Sequence, residues 1–369
     1  MKQNHITRRS FALSSIALAA FGLSSFATVA AAEPPIPKPD GKPADMSKPV
    51  KVVLIMGQSN AVGMGKVAGD KDGTLEKAVK TEKLYPYLLD ASGDWAERND
   101  VRNVQVMVGK GGGMSVLHNE ALKVNGKKTI GVEFGFGHQI GDFMDEPVMI
   151  LKSCIGNRAL GWDLLPPGSE GFEFTTKDAK TGKEVTYVHP GYKGSPERWE
   201  KGTEPKPIAW YAGKQYDDDV ANAKKVLSEL DKYYPGAKSY EVAGFLWWQG
   251  ERDCGSELST RYEQNLVNLI QSLRKDFNAP NAKFVIATLG EATKGGGGNT
   301  EIVMNAHMAV DGKAGKYPEF KGNVATVYTH DMARGGSGNG HYGGNAKVYM
   351  DVGEAMGKAM VELLNKQTR

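Results

Sequence analysis

Short apolar runs recur along the chain at Val52–Met56, Val148–Leu151, Ala243–Trp248, Phe284–Leu289 and Val324–Tyr328. Each is apolar at successive positions, so both faces of the segment are buried, as in a strand inside a parallel sheet. Between and after these runs the apolar residues return every three or four positions instead. Val220, Ala223, Val226, Leu227 and Leu230 do so within 217–234. Leu266, Leu269, Ile270 and Leu273 do so within 262–277, and Val348, Val352, Met356, Met360 and Leu363 within 345–364. That spacing lays one apolar stripe along a helix. Strands alternating with helices predict an α/β fold, a parallel sheet covered on both sides. Right-handed crossovers place the functional crevice at the carboxyl ends of the strands.

Residues 157–211 break this rhythm. They are rich in Pro, Gly, Lys and aromatic residues, without a period, and are too long for a plain loop. They are expected to form an insertion over the strand ends, a lid or substrate wall. Its aromatic residues, Trp162, Phe172, Phe174, Tyr187, Tyr192, Trp199 and Trp210, suit either stacking on sugar rings or a small satellite core. The glycine runs Gly111–Gly113 and Gly295–Gly298 precede no Lys-Ser/Thr pair, which argues against a phosphate-cradling loop.

The first residues alter the charge balance. Thr7-Arg8-Arg9-Ser10-Phe11 is a twin-arginine pattern, followed by an apolar run to about Ala27 and small residues at Ala30-Ala31-Ala32. Residues 1–32 therefore read as a twin-arginine signal peptide, with export to the periplasm or beyond as the expectation. Residues 33–49 read as a Pro-rich linker and 50–369 as one domain with the insertion inside it. No later stretch reaches the ~18 apolar residues of a membrane span. The whole chain has 46 basic and 43 acidic residues; Lys2, Arg8 and Arg9 lie in the leader, leaving 46 − 3 = 43 of each. A balanced mature chain points away from nucleic acid as a partner. Cys154 and Cys254 are either two buried thiols or a bridge formed after export, and neither has metal-ligand spacing with a histidine. The oligomeric state is left open.

Polar residues gather at four strand ends. Gly57-Gln58-Ser59-Asn60 follows the first run; a serine there either caps a helix or acts as a nucleophile, which needs a base within reach. At Ser153-Cys154-Ile155-Gly156-Asn157, Gly156 lets the backbone approach a ligand and offer its N–H to an oxyanion. After Trp248 come Gln249-Gly250-Glu251-Arg252-Asp253, an amide and carboxylates that are costly to bury unless paired. They suit either a helix cap or a site. Last, Asn339-Gly340-His341-Tyr342 sets a histidine between glycines, the best general base among the seven, with His330 its one competitor.

With GQSN at 57–60, WQGE at 248–251 and Gly131–Gly137 opening a helix, the chain resembles the SGNH hydrolases, in particular the sialate O-acetylesterase and acetylxylan esterase branch, carbohydrate esterase family six. The resemblance runs from Val52 to about Met360. It implies a three-layer α/β/α sandwich with a five-stranded parallel sheet, removal of O-acetyl groups from carbohydrates, and no metal or cofactor. Ser59 is then the nucleophile and His341 the base, with Ser59 N–H, Gly156 N–H and the Gln249 side chain as the oxyanion hole. Gln58, Asn60 and Glu133 are supporting residues. The acid departs from the pattern: many relatives have Asp three residues before the histidine, where this chain has Gly338. Glu251 is the expected substitute, with Asp331 and Asp253 as alternatives. Relatives also often have Gly-Gly at Gly156-Asn157. The alternative functions are a general SGNH carboxylesterase or lipase, and a catalytically silent carbohydrate-binding protein on the same fold.

Overall fold

The five apolar runs form strands that lie side by side in one sheet. The computed structural model describes residues 35–365; the expected signal peptide at 1–32 lies outside the described residues. The first half contains β1 (Val50–Gly57), α1 (Ser59–Val62), β2 (Gly65–Lys66), β3 (Glu97–Val108), β4 (Met114–Lys123), β5 (Thr129–Ile130), α2 (Glu133–Phe143) and β6 (Val148–Ser153). The insertion adds β7 (Phe172–Lys177), β8 (Glu184–His189) and β9 (Trp199–Glu200). The second half contains α3 (Lys214–Ser228), α4 (Leu230–Tyr233), β10 (Tyr240–Trp248), α5 (Glu251–Cys254), α6 (Tyr262–Asp276), β11 (Lys283–Ala287), α7 (Gly298–Ala309), β12 (Val324–Val327) and α8 (Ala346–Asn365).

The main sheet has seven strands in the order β12-β11-β10-β1-β6-β3-β4. All neighbours are parallel except β3 and β4. The expected five-strand sheet is therefore extended by two strands. In β3 the buried Val101, Val104 and Val106 are interspersed with buried Arg98, Asn103 and Gln105; the polar residues break the apolar run that marks the other strands. Strand β4 lies at the antiparallel edge and leaves Val116 and Leu117 exposed, so it lacks the two-sided apolar pattern of a central strand.

Helices cover both faces. Val52, Leu54 and Met56 of β1 face one core with Val220, Ala223 and Val226 of α3 and Leu266, Leu269 and Leu273 of α6. Val53 and Ile55 face the other, with Phe134, Phe136 and Ile140 of α2 and Val348, Val352 and Met356 of α8. Each such side chain taken fully from water contributes about 1.5–3 kcal/mol, and the two-sided burial accounts for the unbroken apolar runs. The helix expected over 217–234 is two helices, parted at Glu229, whose φ of −111° and ψ of 38° are not helical.

From Ile36 onward the chain forms one compact unit. The described part of the Pro-rich segment has no helix or strand before Val50. It lies along the domain, Asn99 Nδ2 donating to Gly41 O at 2.8 Å and Ile36 and Met46 packing against the two cores. In the insertion, β7, β8 and β9 make a small antiparallel sheet. Trp162, with Phe172, Tyr192 and Trp210 packed beside it, joins Ala159, Leu165, Ala212 and Leu258 in a satellite core. Those four aromatics have a packing role. No helix among the described residues is long and apolar enough to cross a membrane.

Candidate active site

Strand register brings the two most distinctive segments together. Gly57 at the end of β1 pairs with Trp248 at the end of β10, so Gln58-Ser59-Asn60 and Gln249-Gly250-Glu251 leave the sheet next to each other. Gly57 has φ +145°, and a Cβ on it would lie 2.3 Å from Trp248 O; only glycine fits. Ser59 follows as the first residue of α1, nearly buried. The N–H groups of a helix's first turn have no acceptor within the helix, so the Ser59 N–H has no partner within α1. The turn after β6 closes on it from the other side: a Cβ built on Gly156 would lie 3.5 Å from Ser59 Cβ.

Below this turn lies a polar network. Gln249 Nε2 donates to Gln58 Oε1 at 3.2 Å, Arg158 O at 2.8 Å and Asp253 Oδ2 at 2.7 Å. Gln249 Oε1 and its backbone carbonyl accept from Tyr262 Oη at 2.8 and 2.9 Å. The Gln249 amide is fully buried and has no hydrogen left for an oxyanion in this arrangement; it braces Gln58, the residue before the serine. Asp253 is similarly committed. Its two oxygens accept from Leu160 N and Gly161 N as well as from Gln249. Burial outweighs these donors and pushes its pKa up to about 6. As a triad acid it is already occupied in holding the 159–161 turn.

A second network runs from Asn60 to the histidine turn. Asn60 Nδ2 donates to Glu251 Oε1 at 2.5 Å and to Gly338 O at 3.1 Å, and Asn60 Oδ1 accepts from Tyr349 Oη at 2.8 Å. The Tyr349 hydroxyl also lies 3.4 Å from His341 O. One asparagine, next to the serine, thus joins Glu251, Gly338 and the segment carrying His341. Glu251 is buried, and its Oε2 has no partner among the described residues. Burial, then the nearby Glu291 charge, raises its pKa to about 7, against the donor Asn60. A Cβ on Gly338 would come within 2.7 Å of Glu251 Oε1 and 2.6 Å of Glu291 Oε2. The space that a side chain three residues before His341 needs is filled by these two carboxylates. His341 is half-buried, and its ring makes no hydrogen bond among the described residues, nor does the Ser59 hydroxyl.

The histidine turn rests on aromatic rings. Trp248 is buried and stacks on Tyr342 at 5.7 Å between centroids, with Tyr349 edge-on at 5.6 Å. Its indole N–H is satisfied by Thr288 O. Tyr342 Oη accepts from Gly290 N at 3.2 Å. Such pairs add about 0.5–1.5 kcal/mol each beyond burial.

The other candidates lie elsewhere. Nδ1 of His330 is bonded to Gly290 O at 2.8 Å. His138 and His307 are buried and their pKa values fall to about 3 through desolvation. His189 pairs with Glu257, and His118 with Glu120 on β4. Asp331 is exposed on the turn His330–Ala333. Glu133 is buried beneath α1, its Oε2 accepting from Lys152 Nζ at 2.7 Å; the same ammonium donates to Val62 O. Cys154 and Cys254 are both free thiols, with no bridge between them. Among the described residues no group of three His, Cys, Asp or Glu is placed to hold a metal ion.

A family model for the sialic acid-specific acetylesterases, carbohydrate esterases, matches residues 49–362. The chain belongs to this family. The esterase is a carboxylic ester hydrolase, a carbohydrate O-acetylesterase by family. Among solved structures it is similar to a protein from Arabidopsis thaliana, at 15% identity and TM-score 0.43 over 85% of this chain and 98% of the other. A novel carbohydrate acetylesterase from Xanthomonas citri is similar at 14% identity and TM-score 0.48 over 86% of this chain. The esterase spans only 57% of that longer chain. NanS is similar at 17% identity and TM-score 0.40, over 78% of this chain and 79% of its own. No curated protein matches the esterase in sequence.

Sequence reasoning passed over Glu291 and the aromatic support. Glu291 stands just past β11, and the strand-end rule that selected the other segments applies to it equally. Tyr349 shows no such signal, because on α8 it reads as one more apolar-face residue.

Proposed function

We propose that the esterase removes O-acetyl groups from carbohydrates through an acetyl-serine intermediate on Ser59. The observation that carries this reading is the convergence of four strand ends at that serine, with Gly156 against it and Asn60 tying it to Glu251 and the His341 turn. In this reading His341 takes the Ser59 proton as Oγ attacks the acetyl carbonyl carbon. The Ser59 and Gly156 N–H groups receive the oxyanion. The tetrahedral intermediate collapses, the sugar oxygen leaves with the proton from His341, and acetyl remains on Oγ. Water, deprotonated by His341, repeats the sequence and releases acetate. Glu251 stabilises the imidazolium, its carboxylate standing where an acid at position 338 would stand.

A crevice of about 350 Å³ lies between the insertion and the β10–α5 turn, lined by His189, Glu197, Arg198, Arg252 and residues 255–258, and in this reading it receives the sugar. Arg252 is exposed and makes no side-chain hydrogen bond or close ion pair among the described residues, while its N–H reaches Gln58 Oε1. An exposed guanidinium on the residue whose backbone meets the nucleophile turn suits the carboxylate of an acidic sugar, which favours a sialate-type ester over acetylxylan.

The test is acetate release from an aryl acetate, acetylated xylan and an O-acetylated sialoside, with Ser59→Ala as control. Release from the sialoside that is lost in the variant is expected; release that persists in Ser59→Ala would remove the nucleophile assignment. We also propose export through the twin-arginine leader. A mature protein beginning near Glu33 in the periplasmic fraction supports this, and an unprocessed cytosolic chain counts against it.

A further inference from the structure

We propose that Glu291 is a positioning residue for the reaction: by accepting the Gly338 N–H it holds the turn that carries His341. This rests on the reading of His341 as the base.

The turn has little rigidity of its own. Gly335, Gly336, Gly338, Gly340, Gly343 and Gly344 crowd its sequence, and Arg334, His341 and Tyr342 adopt positive φ near +51°. A glycine-rich segment of this kind loses much backbone entropy when fixed, so a base mounted on it needs anchors from outside. The structure supplies them around one residue. Gly338 N donates to Glu291 Oε2 at 2.9 Å, and Gly338 O accepts from Asn60 Nδ2 at 3.1 Å. Both faces of residue 338 are gripped, one from the end of β11 and one from the residue after the nucleophile. The neighbouring contact of Tyr342 Oη with Gly290 N ties the same turn to the same strand end.

Position 338 also shows why the anchor is a carboxylate. An acid built at 338 would brace His341 from within its own turn. Here the residue is glycine, and Glu251 and Glu291 converge on the vacated space from two different strands. Glu251 is bound to Asn60 and not to the turn itself. Glu291 alone of the two takes the backbone N–H. Charge beside the histidine turn and placement of that turn are thereby divided between two glutamates. Glu291 also puts a second negative charge next to Glu251, where it adds to the effect of burial in favouring the protonated acid.

The experiment compares kcat, KM and the pH profile of aryl acetate hydrolysis for wild type, Glu291→Ala, Glu291→Gln and Ser59→Ala. Displacing a catalytic group by about an ångström lowers turnover by roughly 100-fold. Glu291→Ala is therefore expected to lower kcat about 10- to 100-fold with KM little changed. Glu291→Gln, whose amide oxygen can accept the same N–H, restores at least part of kcat. It also moves the acid limb of kcat/KM to lower pH, because Glu251 loses a neighbouring negative charge. A kcat for Glu291→Ala equal to wild type, or a Gln variant no better than Ala with its acid limb unmoved, overturns the proposal. If the Ala variant does not fold by near-ultraviolet circular dichroism, the Gln limb decides. Activity in Ser59→Ala would instead sink the serine-esterase reading; an inactive Ser59→Ala beside wild-type Glu291 variants would sink only the positioning role.

Discussion

Glu251, the proposed partner of His341, is buried at some expense to stability. One of its oxygens is held by Asn60 and the other is without a partner among the described residues, and its pKa is raised from 4.5 to about 7 chiefly by desolvation. The folded state therefore binds this proton more tightly than the unfolded chain. The stability that it brings is complete below about 4.5 and is lost as pH rises through about 7. Activity that needs the carboxylate runs the opposite way and rises through the same range. Glu251→Gln is expected to lower kcat by about 10²- to 10⁴-fold while raising the melting temperature at pH 8. Thermal melts at pH 5 and pH 8 check the sign: the wild type should lose more stability between them than the variant. An equal loss in both proteins would mean that Glu251 is not the group responsible.

The elements around the site are locked together by a few buried contacts. Lys152 on β6 is fully buried and reaches both Glu133 at the start of α2 and the Val62 carbonyl at the end of α1. Removing one member of such a pair strands the other charge and costs about 3–5 kcal/mol. Glu133→Ala should lower the denaturant midpoint accordingly, and a joint replacement of Lys152 by Met and Glu133 by Leu should recover much of it. A single-variant midpoint like that of the wild type would contradict the buried-pair account. Gly57 is the second lock. Its φ and the 2.3 Å approach of Trp248 O leave no room for a methyl group, so Gly57→Ala should abolish activity by pushing β1 from β10 at the point where Ser59 departs.

Across the whole molecule, the insertion and the β10–α5 turn together shape the crevice, and the Arg252 side chain there makes no hydrogen bond among the described residues. A charged hydrogen bond contributes about 1.5–3 kcal/mol, tenfold or more in affinity. Arg252→Gln should raise KM about tenfold or more for an acidic O-acetylated sugar and leave KM for a neutral aryl acetate near that of the wild type. Equal effects on both substrates would place Arg252 outside sugar recognition.

Much of this was legible in the chain. Two-sided apolar runs marked β1, β6, β10, β11 and β12 because a central parallel strand is buried on both faces. The glycines and polar residues after those runs marked the crevice because buried polar groups need partners. What the sequence alone did not reveal depends on contacts between distant segments. Strand β3 was hidden by buried Asn103 and Gln105, polar residues whose burial only a packed structure makes visible. The amide of Gln249 reads as a free donor until three acceptors from three segments are seen around it. Gly338 reads as a missing acid until Glu251 and Glu291 are found converging on the same space. Local pattern and burial period determined the sheet, its helices and the segments that line the site. The division of labour within that site was decided by the tertiary fold, because hydrogen-bond partners are chosen in space and leave no period in the chain.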